Sequence, residues 1–334
     1  MPLTIIIAGL AIALFLAYFF YTHFQRSGYL LFVVFFLPLM DLGVTPAAFG
    51  GLSVFDFITF ISFAVLYKDF FFISLKKQFY LYLVIILLLL LLLGSIASEF
   101  TRQSIVNIPG IITPFLFSRL LLLELNENND FVKPFLNGLK TAGIIAVLFI
   151  LLQMLLGLSF TFYPALNQNV FDSAGLRYPG YFMDSQMNGV FLGMLSYVFL
   201  LNYWEPSKPT IVNYISFSVI SGAILLAGSR SGLLGFVAGF IFLILFVGGK
   251  FRFTTLAFGA IAVLLLYISS DSIVLLKRFT SISDSYTLRS SIWQGAVDIF
   301  NKHPNLGIGI GNYQEYVKLH SQDQYLLIDN DEIF

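Results

Sequence analysis

The chain of 334 residues contains no cysteine. Disulfide bonds, thiolate metal sites and a cysteine nucleophile are therefore excluded. Charge is scarce as well, because only 11% of the residues are Asp, Glu, Lys or Arg, and 18 basic residues balance 18 acidic ones. A soluble globular domain carries about 25% charged residues. The balance gives no reason to expect a nucleic-acid partner.

Motifs of common enzyme classes are missing too. The sequence has no HExxH pair, no Cys/His cluster and no nucleophile elbow, so protease, zinc-enzyme and serine-hydrolase functions have no support. The three alternating glycines of 307–311 are not preceded by a strand pattern or followed by Lys-Ser/Thr, as a nucleotide-binding loop requires. We therefore expect neither a metal nor a cofactor.

Apolar residues make up 58% of the chain, with 39 Phe and a mean hydropathy of +0.88. Such a composition belongs in a lipid bilayer, because soluble domains have about 45 to 50% apolar residues. The first apolar run, 3–22, has no Lys or Arg before it and no small-residue cleavage pattern after it. It is therefore interpreted as a retained first span and not as a signal peptide.

Crossing the hydrocarbon core takes about 20 apolar residues, and this length predicts ten spans. They are 3–22, 29–47, 51–67, 80–97, 104–121, 141–160, 189–203, 211–228, 232–248 and 254–270. Asn107, Pro109 and Pro114 interrupt the fifth, so a kinked or re-entrant segment would also fit there. The predicted fold class is all-α: a polytopic integral membrane protein of about ten transmembrane helices, with a site formed by external loops.

Positive charge sets the predicted orientation, because Lys and Arg are retained on the cytoplasmic side. The loops after the odd-numbered spans hold ten of them, at Arg26, Lys68, Lys76, Lys77, Arg119, Lys133, Lys140, Lys208, Lys250 and Arg252. The other short loops hold only Arg102, Arg177 and Arg230. The N-terminus, loop 161–188 and the tail are therefore predicted to be external. The chain divides into a transmembrane bundle, 1–270, and an external polar region, 271–334.

The tail predicts an amphipathic helix. Ser285 or Thr287 is the expected N-cap, apolar residues follow at intervals of three and four, and Pro304 ends the run. One interpretation is an interfacial helix with Trp293 at the level of the lipid headgroups. The glycines that follow predict either a flexible turn or a place where backbone amides approach an anion.

Two external arginines and one histidine are further candidates for a site. Arg177 lies among aromatic and proline residues, and Arg230 occupies the very short connection between two spans. A cation so close to the hydrocarbon needs an anionic partner, either a lipid headgroup phosphate or a substrate phosphate. His320 lies among polar residues and can accept a proton near neutral pH.

Several of these residues together resemble one family. Asp56 in SVFDFITF, Arg177 with Asn188 in an external loop, SRSG at 229–232, and RSSIWQGAVDIFNKHPNLGIGIGN at 289–312 resemble the O-antigen ligase and polymerase family. The resemblance implies a bacterial multi-pass glycosyltransferase of the cytoplasmic (inner) membrane. Such an enzyme takes oligosaccharide from an undecaprenyl-diphosphate carrier at the outer face and passes it to an acceptor glycan or to lipid A core, without a metal.

The resemblance also implies roles for individual residues. Arg177, Arg230 and Arg289 would bind the diphosphate, and His320 or Asp329 would act as the base. Other candidates in the matching motifs are Asn188, Trp293, Gly309, Gly311 and Asn312. Membrane lipids, a polysaccharide flippase and a chain-length regulator are the implied partners.

The end of the sequence departs from the family pattern. Ligases tend to carry His-Asn where this chain has Asp329-Asn330, and LIDNDEIF looks more like the polymerase version. That pair normally begins a further span, whereas this sequence stops at Phe334. Either the chain is a fragment of a protein with about twelve spans, or the resemblance fails here. A glycan polymerase is the main prediction; a ligase, a lipid-linked-sugar flippase or transporter, and a non-catalytic scaffold are the alternatives.

Overall fold

The computed structural model describes residues 3–44, 52–71, 79–162, 171–172, 175–200, 211–246 and 282–320. These residues are mostly helical. The helices are α1 Leu3–Tyr21, α2 Arg26–Phe35, α3 Leu37–Met40, α4 Val54–Val65, α5 Tyr67–Phe71, α6 Phe79–Ile96, α7 Thr101–Glu127, α8 Val132–Leu156, α9 Ser185–Ser196, α10 Ile211–Ala227, α11 Arg230–Phe246, α12 Ile282–Lys302 and α13 Tyr313–His320. Strands β1 (Phe171–Asp172) and β2 (Gly175–Leu176) form a short antiparallel hairpin.

The chain divides into two compact units. Unit 1 combines Met1–Phe135 with Asp284–Asp329, and unit 2 consists of Leu136–Ser283 with Asn330–Phe334. Unit 1 is therefore built from two separate stretches of sequence. The predicted division into a transmembrane bundle, 1–270, and an external polar region, 271–334, concerns location relative to the membrane and remains a prediction.

Aromatic packing holds the first helices of unit 1 together. The buried Phe15 of α1 stacks on Phe19, with ring centroids 5.1 Å apart, and meets Phe32 of α2 edge-on at 5.2 Å. In contrast, α6 leaves most of its large apolar side chains exposed, including Leu89 and Leu93. An exposed Leu-rich helix is suited to lipid and not to water.

Helix α7 runs without interruption through Pro109 and Pro114. The Ser118 hydroxyl donates to the Pro114 carbonyl oxygen at 2.7 Å, and the Thr113 hydroxyl oxygen lies 3.2 Å from the Pro109 carbonyl oxygen. Among the described residues, two helical stretches are long and apolar enough to cross a membrane, Thr101–Glu127 and Asn129–Leu156. The fifth predicted span thus forms one continuous helix, longer than expected.

Two predicted spans differ from the observed helices. The second breaks at Phe36, because Pro38 lies in the first turn of α3 and cannot continue the hydrogen bonding of α2. The third is helical only over α4, whose start is fixed by a capping box. In that box the Asp56 carboxylate accepts from the Ser53 amide at 2.9 Å, and it also accepts from the Thr113 hydroxyl. The tenth predicted span, 254–270, lies outside the described residues.

A cluster of opposite charges joins three segments of unit 1. The Arg26 guanidinium lies 3.4 Å from Asp69 and 3.3 Å from Glu124, and it also contacts Glu127. The connections that carry these residues are all predicted to be cytoplasmic, and the structure brings the residues together. This cluster pairs α2 with α5 and with the end of α7.

In unit 2, helix α9 packs against both α10 and α11. Close approach to α11 depends on Gly189 and Gly232, since a Cβ on Gly232 would lie 2.5 Å from the Gly189 carbonyl. In the described part of the seventh predicted span, 189–203, helix α9 ends at Ser196 and a 3-10 turn, Tyr197–Leu200, follows. Buried side chains from α8, α9 and α10 meet in one core, among them Ile150, Leu192 and Ile224.

Candidate functional site

The segment 175–188, which is predicted to be external, is packed onto helix ends of unit 2. The Tyr178 amide donates to the Leu226 carbonyl near the end of α10, at 3.1 Å. Three residues further on, the ring of Tyr181 is buried in the core of unit 2. This segment is therefore fixed on both sides of Gly180.

A glutamine of α8 holds Gly180 in place. The Gln153 side chain donates from Nε2 to the Gly180 carbonyl at 2.8 Å and accepts from the Gly180 amide at Oε1, at 2.9 Å. Nε2 also donates to the Phe160 carbonyl at 3.1 Å. Gln153 is 1% exposed, and Gly180 has a φ of +64° that favours glycine. This pairing sets the path of the chain between Arg177 and α9.

Arg177 lies against the connection between α10 and α11, residues 228–229, here called the α10–α11 turn. Its side chain is 2% exposed. A Cβ on Gly228 would lie 2.7 Å from Cγ of Arg177, so the methylene groups of the arginine occupy the space that a side chain would need. Gly228 has a φ of +65°. The predicted external arginine is thus buried beside the SRSG motif and not solvated.

Arg230 begins α11 immediately after the α10–α11 turn, as the sequence predicted for a connection of almost no length. Ser229 caps this helix, since its hydroxyl accepts from the Gly232 amide at 3.0 Å. The same hydroxyl donates to the Gln186 carbonyl of α9 at 3.2 Å. The first turns of α9 and α11 are thereby joined beside Arg177.

Three more polar side chains are buried in the segment 181–188. The Tyr181 hydroxyl, the Ser185 hydroxyl and the Asn188 Oδ1 have no hydrogen-bond partner among the described residues. Asn188 Nδ2 contacts the Tyr178 carbonyl at 3.4 Å. Burial raises the pKa of Tyr181, so its hydroxyl remains a proton donor at neutral pH. Buried polar atoms without partners carry a desolvation cost, which a bound polar group would remove.

This arrangement in unit 2 suits an anion. Two arginines, Arg177 and Arg230, lie at a place where two helices, α9 and α11, begin. Helix N-termini present partial positive charge and favour phosphate groups. Guanidinium groups form charge-assisted hydrogen bonds with phosphate, often in pairs.

Unit 1 holds the glycine-rich motif, residues 306–312, here called the glycine turn. It is packed against the residues that join α6 to α7, 94–107, here called the α6–α7 corner. Asn312 is fully buried and donates from Nδ2 to the Ser98 hydroxyl at 3.0 Å and also contacts the Ser104 hydroxyl. Both segments are predicted to be external.

The glycines of this turn permit that close packing. A Cβ on Gly309 would lie 2.3 Å from the Ser104 hydroxyl oxygen, and one on Gly311 would lie 2.2 Å from the side-chain Nδ2 of Asn107. Both glycines have positive φ, at +84° and +73°. The motif is therefore a docked turn, and the structure supports a packing role for these two glycines, not the flexible turn of the sequence interpretation.

Two histidines of unit 1 lie on either side of one tyrosine. His303 Nε2 is 3.0 Å from the Tyr316 hydroxyl, and the ring of His320 stacks on Tyr316 with centroids 4.3 Å apart. His320 Nε2 also lies 3.5 Å from the Glu99 carboxylate of the α6–α7 corner. His303 follows the last residue of α12, next to Pro304, where the sequence predicted the end of the helix. The exposed His320 thus lies between Tyr316 and a carboxylate of the α6–α7 corner.

The remaining candidates lie on or beyond α12. This helix begins at Ile282, so the expected N-caps Ser285 and Thr287 lie inside it and that prediction is wrong. Serine and threonine cost a helix interior only a few tenths of a kcal/mol, which is too little to stop it. Arg289 is a residue of α12, and Asp329 lies outside the described residues.

The structure brings together Arg177, Arg230 and Asn188 in unit 2, and Gly309, Gly311, Asn312 and His320 in unit 1. Sequence reasoning missed Gln153, Ser98 and Ser104. A signal existed for Gln153, since a lone amide in an apolar helix needs a partner. No signal existed for the two serines, whose partner lies more than 200 positions away along the chain.

The described residues form a mostly helical protein with two helical stretches that are long and apolar enough to cross a membrane. Residues 215–331 match the family model described as O-antigen ligase. The match supports the O-antigen ligase and polymerase family, whose members process glycans at membranes. It covers less than half of the chain and includes Arg230, Arg289, the glycine turn and His320, whereas Arg177 and Asn188 precede it. No curated protein and no solved structure matches the chain.

Proposed function

We propose that this protein is a membrane glycosyltransferase that polymerises oligosaccharide repeat units carried on undecaprenyl diphosphate. The reaction takes place at the outer face of the bacterial cytoplasmic membrane. The observation that carries the proposal is the burial of Arg177 against the α10–α11 turn, which precedes Arg230. Two motifs that the family resemblance marks for diphosphate binding are neighbours in unit 2.

The proposed reaction exchanges one bond for another. The bond between the anomeric carbon and the phosphate oxygen of the carrier breaks, and the anomeric carbon bonds to a hydroxyl oxygen of the acceptor glycan. The diphosphate leaves with the bonding electrons, and Arg177, Arg230 and Arg289 stabilise its increased charge. The acceptor hydroxyl loses its proton to His320 or Asp329.

The contacts of His320 fix its position. The Glu99 carboxylate lies 3.5 Å from its Nε2, and stacking on Tyr316 orients the ring. Its proposed role as the base comes from the family resemblance. Asn188, Trp293 and Asn312 complete the proposed set, with Asn312 holding the glycine turn in place.

A ligase that transfers finished glycan to lipid A core is the second candidate, because the matching family model is described as O-antigen ligase. The sequence LIDNDEIF favours the polymerase. The two functions differ in outcome: a polymerase mutant accumulates single repeat units on lipid A core, whereas a ligase mutant loses all attached glycan. A flippase and a chain-length regulator are the proposed partners of the polymerase.

The experiment replaces each proposed diphosphate ligand in turn. Arg177→Ala and Arg230→Ala should each shorten or abolish the surface polysaccharide while the protein remains in the membrane. Loss of one charge-assisted hydrogen bond of about 1.5 to 3 kcal/mol predicts a rate reduced about 10- to 150-fold. Arg289→Ala is expected to behave in the same way.

Arg102→Ala is the matched control, because Arg102 is an exposed arginine of α7 that is also predicted to be external. It should leave chain length unchanged. Polysaccharide of wild-type length in all three variants would refute the proposed function. The length distribution is read from electrophoresis of the extracted glycan, and membrane content from immunoblots.

A further inference from the structure

Helix α12 carries an exposed apolar stripe. Trp293, Val297 and Phe300 follow at intervals of four and three residues, which places them on one face of the helix. Their exposed fractions are 65%, 56% and 63%. Large apolar side chains that line up and stay exposed mark a surface that meets lipid or protein.

This stripe is not the face of α12 that packs against the rest of unit 1. Gly295 is buried and Ile292 and Ile299 are partly buried, so these three residues form the inward face. The Tyr313 hydroxyl donates to the Ile292 carbonyl at 3.2 Å, which fixes that face against the next helix. A third, polar sector consists of the exposed residues Gln294, Asp298 and Asn301. The helix therefore has one side for protein, one apolar side and one side for water.

The position of α12 follows from the glycine turn at its C-terminal end. The Ser98 hydroxyl donates to the Ile308 carbonyl at 2.5 Å, and a Cβ on Gly94 would lie 2.7 Å from the Leu306 carbonyl oxygen. These contacts hold the turn on the α6–α7 corner. Helix α7 is long and apolar enough to cross a membrane, and a helix that spans the bilayer has its first residue, here Thr101, near a membrane surface. With α7 in a bilayer, the end of α12 is held at that surface.

Lipid is the occupant that the neighbouring surface favours. Leu92, Leu93 and Ile96, in the last turn of α6 beside the docked turn, are 43%, 53% and 58% exposed. The glycine turn that follows α12 is thus docked beside a helix end that presents apolar side chains outward. The helix carries two charges of each sign, at Asp284 and Asp298 and at Arg289 and Lys302, which offers little to a strongly charged protein partner.

We propose that α12 lies in the plane of the membrane, with the Trp293–Val297–Phe300 stripe in the interfacial layer of the bilayer and its polar sector in water. Amphipathic helices with tryptophan on the apolar side bind membranes in this way, because the indole ring favours the headgroup level. This docking surface concerns lipid contact and does not depend on the proposed transfer reaction.

The absence of cysteine permits a direct test. Single cysteines replace the stripe residues (Trp293→Cys, Val297→Cys, Phe300→Cys) and the polar-sector residues (Gln294→Cys, Asp298→Cys, Asn301→Cys). Each variant of the full chain carries a nitroxide label and is reconstituted into phosphatidylcholine vesicles. Electron paramagnetic resonance then compares collisions of the label with oxygen, which concentrates in the bilayer, and with a water-soluble nickel chelate.

The expected result is a periodic pattern. Labels at 293, 297 and 300 should collide mainly with oxygen, and labels at 294, 298 and 301 mainly with nickel. Dominant nickel collisions at the stripe positions would overturn the proposal, since the stripe would then face water. Few collisions with either reagent there would also overturn it, because protein would then cover the stripe. Each face is sampled three times, so one variant that fails to fold leaves the pattern readable.

Discussion

Replacing Gln153 tests whether one buried amide fixes the segment that carries Arg177. Gln153→Met removes all three of its hydrogen bonds, to the Phe160 carbonyl and to both the carbonyl and the amide of Gly180. Methionine has a similar length and volume, so the packing of α8 should persist. The change therefore isolates the polar contacts.

The magnitude follows from the number of lost bonds. Each contributes about 0.5 to 1.5 kcal/mol net, and a buried amide or carbonyl that loses its partner costs about 1 to 3 kcal/mol. Part of this cost is recovered when the loosened segment reaches water. We expect the free energy that holds the segment around Gly180 to fall by about 2 to 4 kcal/mol, which corresponds to roughly a 30- to 700-fold change in its opening equilibrium.

Hydrogen exchange measured by mass spectrometry reports this opening directly. Peptides that span 176–182 should exchange about 30- to 700-fold faster in Gln153→Met, because native-state exchange follows the local opening equilibrium. Peptides from α10 should keep their protection. The transfer reaction should weaken together with the loss of protection, since Arg177 would no longer be held beside the α10–α11 turn.

Gln103→Met is the matched control, because Gln103 is an exposed glutamine on another apolar helix, α7. It should change neither exchange nor activity. Unchanged exchange across 176–182 in Gln153→Met would refute the positioning role, whatever the effect on activity. Faster exchange with full activity would show that the segment is held by Gln153 but that its position does not matter for the reaction.

Two further substitutions test the turns. Asn312→Ala should lower the free energy of unfolding by about 1 to 3 kcal/mol, because it removes the buried contacts to the α6–α7 corner. Thermal unfolding in detergent measures this change, with the exposed Asn301→Ala as the control. Equal melting temperatures of the two variants would contradict the prediction. Gly228→Ala should reduce transfer and cost about 1 to 3 kcal/mol, since its φ is positive and a methyl group would displace Arg177. Gly222→Ala, with open space around it, should be neutral, and equal activity of the two alanine variants would count against the packing argument.

Apolar length alone predicted much of the helical architecture. The runs 3–22, 80–97, 211–228 and 232–248 closely match α1, α6, α10 and α11. Membrane-type helices are set by local sequence, because every backbone group must be satisfied within the segment. The very short connection before Arg230 was likewise predictable, since one apolar run ends and the next begins within a few residues.

Contacts between distant segments could not be predicted. The second predicted span looked continuous because apolar residues flank Pro38 on both sides, and only the structure shows the break at Phe36. Nothing near Ser98 indicates that a turn 210 residues later would bind it. The sequence did not predict the burial of Arg177, because that burial depends on how the segment packs on α10 and not on its own neighbours in sequence. Local patterns thus specify helices, whereas tertiary contacts create the site.

Because Leu136–Ser283 separates the two stretches of unit 1, the α6–α7 corner leaves the ribosome long before its partner exists. The contact between Ser98 and Ile308 spans 210 positions, which at about 5 to 20 residues per second means a delay of roughly 10 to 40 s. During that interval the serine hydroxyls of the corner must be solvated by water. The glycine turn is therefore among the last segments to pack. In nascent chains stalled before residue 306, the α6–α7 corner should remain accessible to proteases and chaperones.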